Sequence, residues 1–270
     1  MPFRLECQWK GFKLAEKYYG WGFPVDISTN GAQIDNLIYI VHGLMAILFV
    51  GWMVFLVYAL LRFRQRPGHE AEYKPHHHFK VPTFVEVAVA ITEVVLLCAF
   101  SFPIWHQVKK EFPSKENSLE VRVVAEQFAW NIHYSGKDGI FGKTDPKLMN
   151  AMNPLGLDPG DLAGKDDITS LNQLHIPVNK SVIVHLSSKD VIHSFALPVM
   201  RVKQDAVPGQ SIPIWFEATK AGNFEIACAQ LCGLGHYRMR GFFMVEDGDK
   251  FSAWLTEQEA KKLAQAPAAV

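Results

Sequence analysis

The chain has 270 residues, with 27 basic and 27 acidic side chains, a pI near 7.2 and a mean hydropathy of +0.04. That length suits two modest domains. A hydrophobic share of 49% excludes a disordered chain, zero net charge argues against a nucleic-acid binder, and four cysteines are too few for a disulfide framework.

Residues 1–36 are aromatic and mixed in charge, with no secretory apolar core. They are expected to lie along a membrane surface on the outer side, and Cys7 has no assigned role. From Leu37 to Leu61 the chain carries no Lys, Arg, Asp or Glu. At a helical rise of about 1.5 Å per residue, that run exceeds the roughly 30 Å hydrocarbon thickness of a bilayer. It is too long and too late for a cleaved signal. A second apolar run, 81–105, contains Glu86 and Glu93 and places Pro103 near its end. The two runs predict a transmembrane hairpin over 37–105. The loop 62–80 holds Arg62, Arg64, Arg66, Lys74, Lys80 and a His76–His78 triplet, whereas 18–36 holds no Lys or Arg. By the positive-inside rule this loop is cytoplasmic and both termini lie outside.

Beyond Ser118, short β-branched stretches recur between turn signals: LEVRVVA, LNQLHIP, SVIVHLSS, SIPIWFEA, NFEIACA and GFFMVE. They predict an all-β sandwich or barrel over 106–249. Gly, Pro and Asp interrupt it at 135–168, an insertion long enough to suggest a partner contact or a lid. Residues 250–264 have helical spacing, with Phe251, Trp254 and Leu255 on one side, inside a C-terminal helix and tail over 250–270.

The chemistry concentrates at 226–241, IACAQLCGLGHYRMRG, where Cys228, Cys232, His236 and Met239 stand close together. Gly233 and Gly235 break any helix, so the segment is a loop after a strand. His193, in DVIHSFALP, lies 35 residues before Cys228 at another expected strand end. Zinc takes Cys₂His₂ but has little use for a thioether, and iron–sulfur clusters usually want four cysteines, or two Cys and two His on a two-iron centre. A blue-copper site takes one Cys, two His and a weak Met. The extra thiolate here suits two copper ions bridged by two sulfurs. A Cys228–Cys232 disulfide is the competing reading on an oxidising side, and His193 or Met239 alone would pass for core residues.

With these residues in hand, the chain resembles cytochrome c oxidase subunit II of the haem–copper oxidase superfamily. The resemblance covers the hairpin and the β domain, from about residue 30 to 255. The family signature Cys-x-Glu-x-Cys-Gly-x-x-His-x-x-Met is matched by Cys228-Ala-Gln230-Leu-Cys232-Gly-Leu-Gly-His236-Tyr-Arg-Met239, and a His-Ser segment precedes it at His193. KQDAVPG at 203–209 is similar to the family's Asp-x-x-Pro-Gly segment and gives Asp205 a supporting role.

The resemblance implies a cupredoxin-like domain anchored by the hairpin in a bacterial cytoplasmic membrane, with the copper domain and both termini periplasmic. It implies the binuclear copper centre CuA, bridged by Cys228 and Cys232. His193 and His236 each bind one copper, and Met239 and the Gln230 backbone carbonyl are weak axial ligands. The function implied is electron input to an aa3-type oxidase. A c-type cytochrome donates, and subunit I, with haem a, haem a3 and CuB, reduces oxygen to water with coupled proton translocation. Subunit III is a further expected partner.

Five positions depart from the family or need separate weighing. Gln230 replaces the usual Glu, which also reaches a Mg²⁺ or Mn²⁺ ion, so that ion is expected to be absent or weakly held. Gln127-Phe128-Ala129-Trp130 replaces a Gln-Trp-x-Trp run, with Phe128 at the electron-accepting position and Trp130 at the second. Both are alternatively plain core aromatics. The change points to a donor such as a membrane-held c-type haem, and the chain itself has no Cys-x-x-Cys-His. Glu86 matches the carboxylate at the mouth of the family's K proton path, or is simply solvated by headgroup water. Glu93 is assigned only a contact with a partner helix. A membrane-tethered copper-binding or chaperone protein is the alternative function.

Overall fold

The computed structural model describes residues 22–68 and 80–265. Lys74, the His76–His78 triplet and Cys7 lie outside the described residues. The chain divides into two units, one containing residues 32–111 and the other joining the N-terminal segment to residues 112–270.

The first unit holds two long apolar helices. Helix α1 spans Gly31–Arg62, earlier than the charge-free run begins, because a polar turn precedes it: Asp26 accepts from the Ser28 N–H and Ser28 Oγ from the Asn30 N–H. The second is continuous from Lys80 to Lys109, as α2 (Lys80–Leu96), a π-helical turn (Leu97–Ser101) and α3 (Phe102–Lys109). The span expected over 81–105 therefore runs on to Lys109, past Pro103. Proline has no N–H to give the carbonyl four residues back. The π turn shifts the pattern there, with the Phe102 N–H bonding to Leu97 O. The hydropathies of the two spans are 2.6 and 2.2, and neither buries its apolar window within the described chain. A soluble core helix would be covered, so the uncovered surface fits a bilayer and partner helices.

The second unit is a two-sheet β sandwich. In chain order its strands are β1 (Leu119–Glu126), β2 (Ala129–Tyr134), β3 (Ile168–Leu171), β4 (Gln173–Pro177), β5 (Ser181–Ser188), β6 (His193–Leu197), β7 (Val202–Ala206), β8 (Ile212–Glu217), β9 (Gly222–Cys228) and β10 (Arg240–Glu246). One sheet runs β3-β2-β1-β5-β8 and the other β4-β10-β9-β6-β7. The β1–β5 and β4–β10 pairs are parallel. Alternation sets the core. Val121, Val123 and Ala125 of β1 are fully buried, and Phe195, Phe224, Ile226 and Phe243 meet them from the other sheet.

The stretch LNQLHIP, expected as one strand, is two. Asn172, at φ 58°, turns the chain from β3 in the first sheet to β4 in the second. Its N–H donates to Trp130 O, and its Oδ1 accepts from the Trp130 N–H. Residues 23–30 do not lie free as a surface segment, which corrects that reading. Ile27 is buried in the sandwich core, and Ser28 bridges to Ala218 beside β8.

The insertion before β3 is tied down by the domain itself and is no loose lid. His133 Nε2 meets Asp167 Oδ2 at 2.6 Å with both side chains almost wholly buried, and Gly142 N–H donates to the same oxygen. Helix α4 (Gly248–Gln265) closes the far side: Lys137 pairs with Glu259, and Lys262 Nζ donates to the Gly164 and Asp167 carbonyls. As expected from its spacing, α4 packs Phe251, Trp254 and Leu255 on the sandwich. Trp254 stacks on His175 with ring centroids 4.0 Å apart.

Candidate metal centre

The site is built at one rim of the second sheet. Strands β6 and β9 are antiparallel neighbours with Phe195 opposite Cys228, which brings the start of β6, His193, to the end of β9. β10 returns beside β9, and the loop between them carries the remaining candidates. Gly233 sits at φ +128°, where only glycine is relaxed, and so lets the loop fold back on itself.

The ligand candidates named from sequence converge. Cys228 and Cys232 are free thiols with Sγ atoms 3.8 Å apart. That is far beyond the roughly 2.05 Å of a disulfide. His193 Nδ1 lies 4.0 Å from Cys228 Sγ, and His236 Nδ1 lies 3.6 Å from Cys232 Sγ. Met239 Sδ is 3.7 Å from Cys232 Sγ, and Gln230 O is 3.2 Å from Cys228 Sγ. The donor atoms of His193, Cys228 and Cys232 all fall within 4.8 Å of one another. His193, Cys232 and Met239 are buried; Cys228 and His236 are partly covered.

This donor set fits copper. Two thiolates, two imidazoles and a thioether are soft ligands, and the Gln230 contribution comes from the backbone, whatever its side chain. The side chain of Gln230 is exposed. Burial, reinforced by the Cys228 thiol, pushes the Cys232 thiol up to about 11. Metal uptake at this site therefore displaces a firmly held proton.

The surroundings include two residues that sequence reading missed. Asp190 Oδ1 lies 2.9 Å from His193 Nε2, while its Oδ2 accepts from the Gln127 N–H. Burial pushes the Asp190 carboxyl up, but hydrogen bonds from His193 and from the Gln127 and Val191 N–H groups outweigh it and hold it below the usual range. Gln127 Nε2 donates to Cys232 O at 2.6 Å. An acid three residues before a candidate ligand was the available signal for Asp190; Gln127 stood in the aromatic run quoted above, but without a role of its own.

Trp130 is fully buried and meets the His193 ring edge-on, with centroids 6.2 Å apart. It is both a core aromatic and a neighbour of a ligand candidate. Phe128 is half-buried in the β1–β2 turn and lies on the glycines of the loop. Asp205 is exposed on β7, in register with Ser194. Pro208 and Gly209 (φ +74°) form the turn that follows. Glu86 and Glu93 lie on α2 in the other unit, both exposed in this chain.

Residues 119–245 match the family described as "Cytochrome C oxidase subunit II, periplasmic domain". Over 240 residues the chain is 34% identical to an alternative cytochrome c oxidase subunit 2 of Bradyrhizobium diazoefficiens, covering 88% of this chain and 84% of that protein. A cytochrome c oxidase subunit 2 of Cereibacter sphaeroides is 28% identical over 254 residues, covering 88% of this chain and 80% of the other. Among solved structures, the periplasmic domain of subunit II of the Bradyrhizobium japonicum cytochrome oxidase is 30% identical with a TM-score of 0.42, covering 56% of this chain and 99% of that one. The chain thus belongs to the cytochrome c oxidase subunit II family.

Proposed function

We propose that this chain is the electron-input subunit of an aa3-type terminal oxidase, with a binuclear copper centre held by His193, Cys228, Cys232, His236, Met239 and the Gln230 carbonyl. The observation that carries this reading is the pair of free thiols 3.8 Å apart, flanked on either side by an imidazole Nδ1. When bound, a copper pair supplies a one-electron centre between a c-type cytochrome and haem a of subunit I.

The chain's own residues hold and shield that centre. The two thiols offer bridging sulfurs, and the buried His193, Cys232 and Met239 keep water from one side of it. Such a closed set suits electron transfer, which needs no open coordination position. It disfavours a copper chaperone, whose site must exchange metal. Phe128 and Trp130 are the proposed electron path, Trp130 through its contact with the His193 ring. Asp205 supports the strand beside His193.

Glu86 is the proposed proton-path carboxylate. Its helix anchors the copper domain in a bacterial cytoplasmic membrane, with that domain periplasmic. Subunit I with haem a3 and CuB, subunit III and a membrane-held c-type cytochrome are the proposed partners. Gln230 offers no carboxylate, so Mg²⁺ or Mn²⁺ is absent or weakly held; stoichiometric metal of either kind after exhaustive dialysis overturns that statement.

The copper reading is tested on the full chain in detergent. Two coppers per chain and a seven-line mixed-valence EPR spectrum at low temperature are expected. A colourless chain after copper reconstitution, with its two thiols joined as a disulfide or occupied by zinc, refutes it.

A further inference from the structure

Three segments meet at the metal centre: the turn at Gln127-Phe128, residues 190–193 and the loop after β9. Their links run in series. The Gln127 carboxamide donates to the Cys232 carbonyl at 2.6 Å. The Gln127 backbone N–H donates to Asp190 Oδ2 at 2.7 Å. Asp190 Oδ1 accepts from the Val191 N–H at 2.7 Å and faces His193 Nε2 at 2.9 Å.

An ionised carboxylate only accepts hydrogen bonds, so Nε2 carries the His193 proton and the lone pair is left on Nδ1. Nδ1 is the nitrogen that faces Cys228 Sγ. The ring is buried, and Trp130 leaves it little room to turn. Cys232 is held from its backbone side, so the loop cannot unwind without breaking the Gln127 bond. The loop glycines admit this approach: a Cβ at Gly233 would come within 2.8 Å of Gln127 Nε2.

We propose that Gln127 and Asp190 are positioning residues of the metal centre: Asp190 fixes the His193 ring with Nδ1 toward Cys228, Gln127 fixes the Cys232 carbonyl, and together they hold the thiols and imidazole in ligand geometry before metal arrives. This rests on the copper reading above. Partners of this kind, which orient ligands without touching the metal, typically contribute 10–100-fold to metal affinity.

The test uses the full chain in detergent, loaded with copper alone, with release to a copper(I) chelator as the readout. Gln127→Ala, the near-isosteric Gln127→Glu, which loses the donor, and Asp190→Ala are expected to load the same copper pair and release it about 10–100-fold faster than wild type. Asp190→Asn keeps one acceptor and is expected to fall between. Pulsed EPR is expected to show altered His nitrogen couplings in Asp190→Ala and unaltered ones in Gln127→Glu, a difference that general loosening of the sandwich would not produce.

Near-UV circular dichroism identifies the temperature at which each copper-free variant is folded. If Asp190→Ala does not fold, Asp190→Asn carries the same comparison. Folded variants that release copper at the wild-type rate with unchanged couplings overturn the positioning roles and leave the copper reading standing. A wild-type chain that loads no copper pair overturns both.

Discussion

Gly235 gives the sharpest steric prediction about the ligand loop. It sits at φ −93°, ψ 6°, which alanine adopts without strain, so Gly235→Ala acts only through the added methyl group. That Cβ would stand 2.4, 2.6 and 2.7 Å from Cδ2, Cγ and Cε2 of Phe128. Carbon atoms pack best near 3.5–4.0 Å, so the ring must retreat by about 1 Å. Overpacking of this kind costs about 1–3 kcal/mol. Phe128 is half-buried and can swing partly outward, which puts the cost in the lower half of that range.

The assay is thermal or urea unfolding of the copper-free chain, followed in the aromatic circular dichroism, for the single and double variants. Phe128→Ala has its own packing cost. In its background Gly235→Ala should cost under about 0.5 kcal/mol, giving a coupling of about 1 kcal/mol. Gly233→Ala is the contrast: its φ of +128° strains any L-residue, so removal of the Phe128 ring gives little relief. A Gly235→Ala variant that is neutral, or equally destabilised without Phe128, refutes the packing argument.

Asp167→Ala leaves the buried His133 and the Gly142 N–H without their shared acceptor and is expected to cost about 3 kcal/mol, read as a lowered melting temperature; an unchanged melting temperature contradicts the buried-pair assignment. Burial holds His175 below the usual imidazole range, although Glu246 pulls it upward. The unfolded chain then binds more protons than the folded one as pH falls below about 6.5, so stability should decline through that window. His175→Phe should flatten that part of the slope in melts at pH 7.5 and 5.5, and an unaltered slope rejects the cause. Cys232→Ser should lower the copper count from two to one and abolish the seven-line spectrum; a retained copper pair argues against the bridging sulfurs. Glu86→Gln in the assembled oxidase should slow haem reduction at the catalytic site, and an unchanged rate removes the proton-path role.

Much of this architecture was legible because its signals are local. Charge-free runs mark the spans, and soft ligands crowd into twelve residues from Cys228 to Met239. His193 was expected at the end of a strand and is instead the first residue of β6, at the same rim as the end of β9. What escaped depends on partners distant in sequence. β2 reads AWNIHY, and its polar Asn131 and His133 hide a strand because their partners, Glu126 and Asp167, become visible only in the fold. Asn172 looked like one polar residue inside a strand, yet its carboxamide and backbone bind Trp130 and redirect the chain between sheets. Pro103 suggested a helix end, and the π turn shows how the helix passes it. Ile27 lay in a segment with no strand pattern, and only the open edge beside β8 explains its burial.

The order of strands in the second sheet has a consequence for how the subunit is made. β10 is the last strand in chain order among the described residues, yet it lies between β4 and β9, and β4 has no other neighbour in that sheet. A chain halted just after Met239 already carries every side-chain ligand but lacks the strand that β4 and β9 share. The ligand loop is thereby tied to closure of the second sheet: the ordered cage comes only when β10 pairs with both β4 and β9.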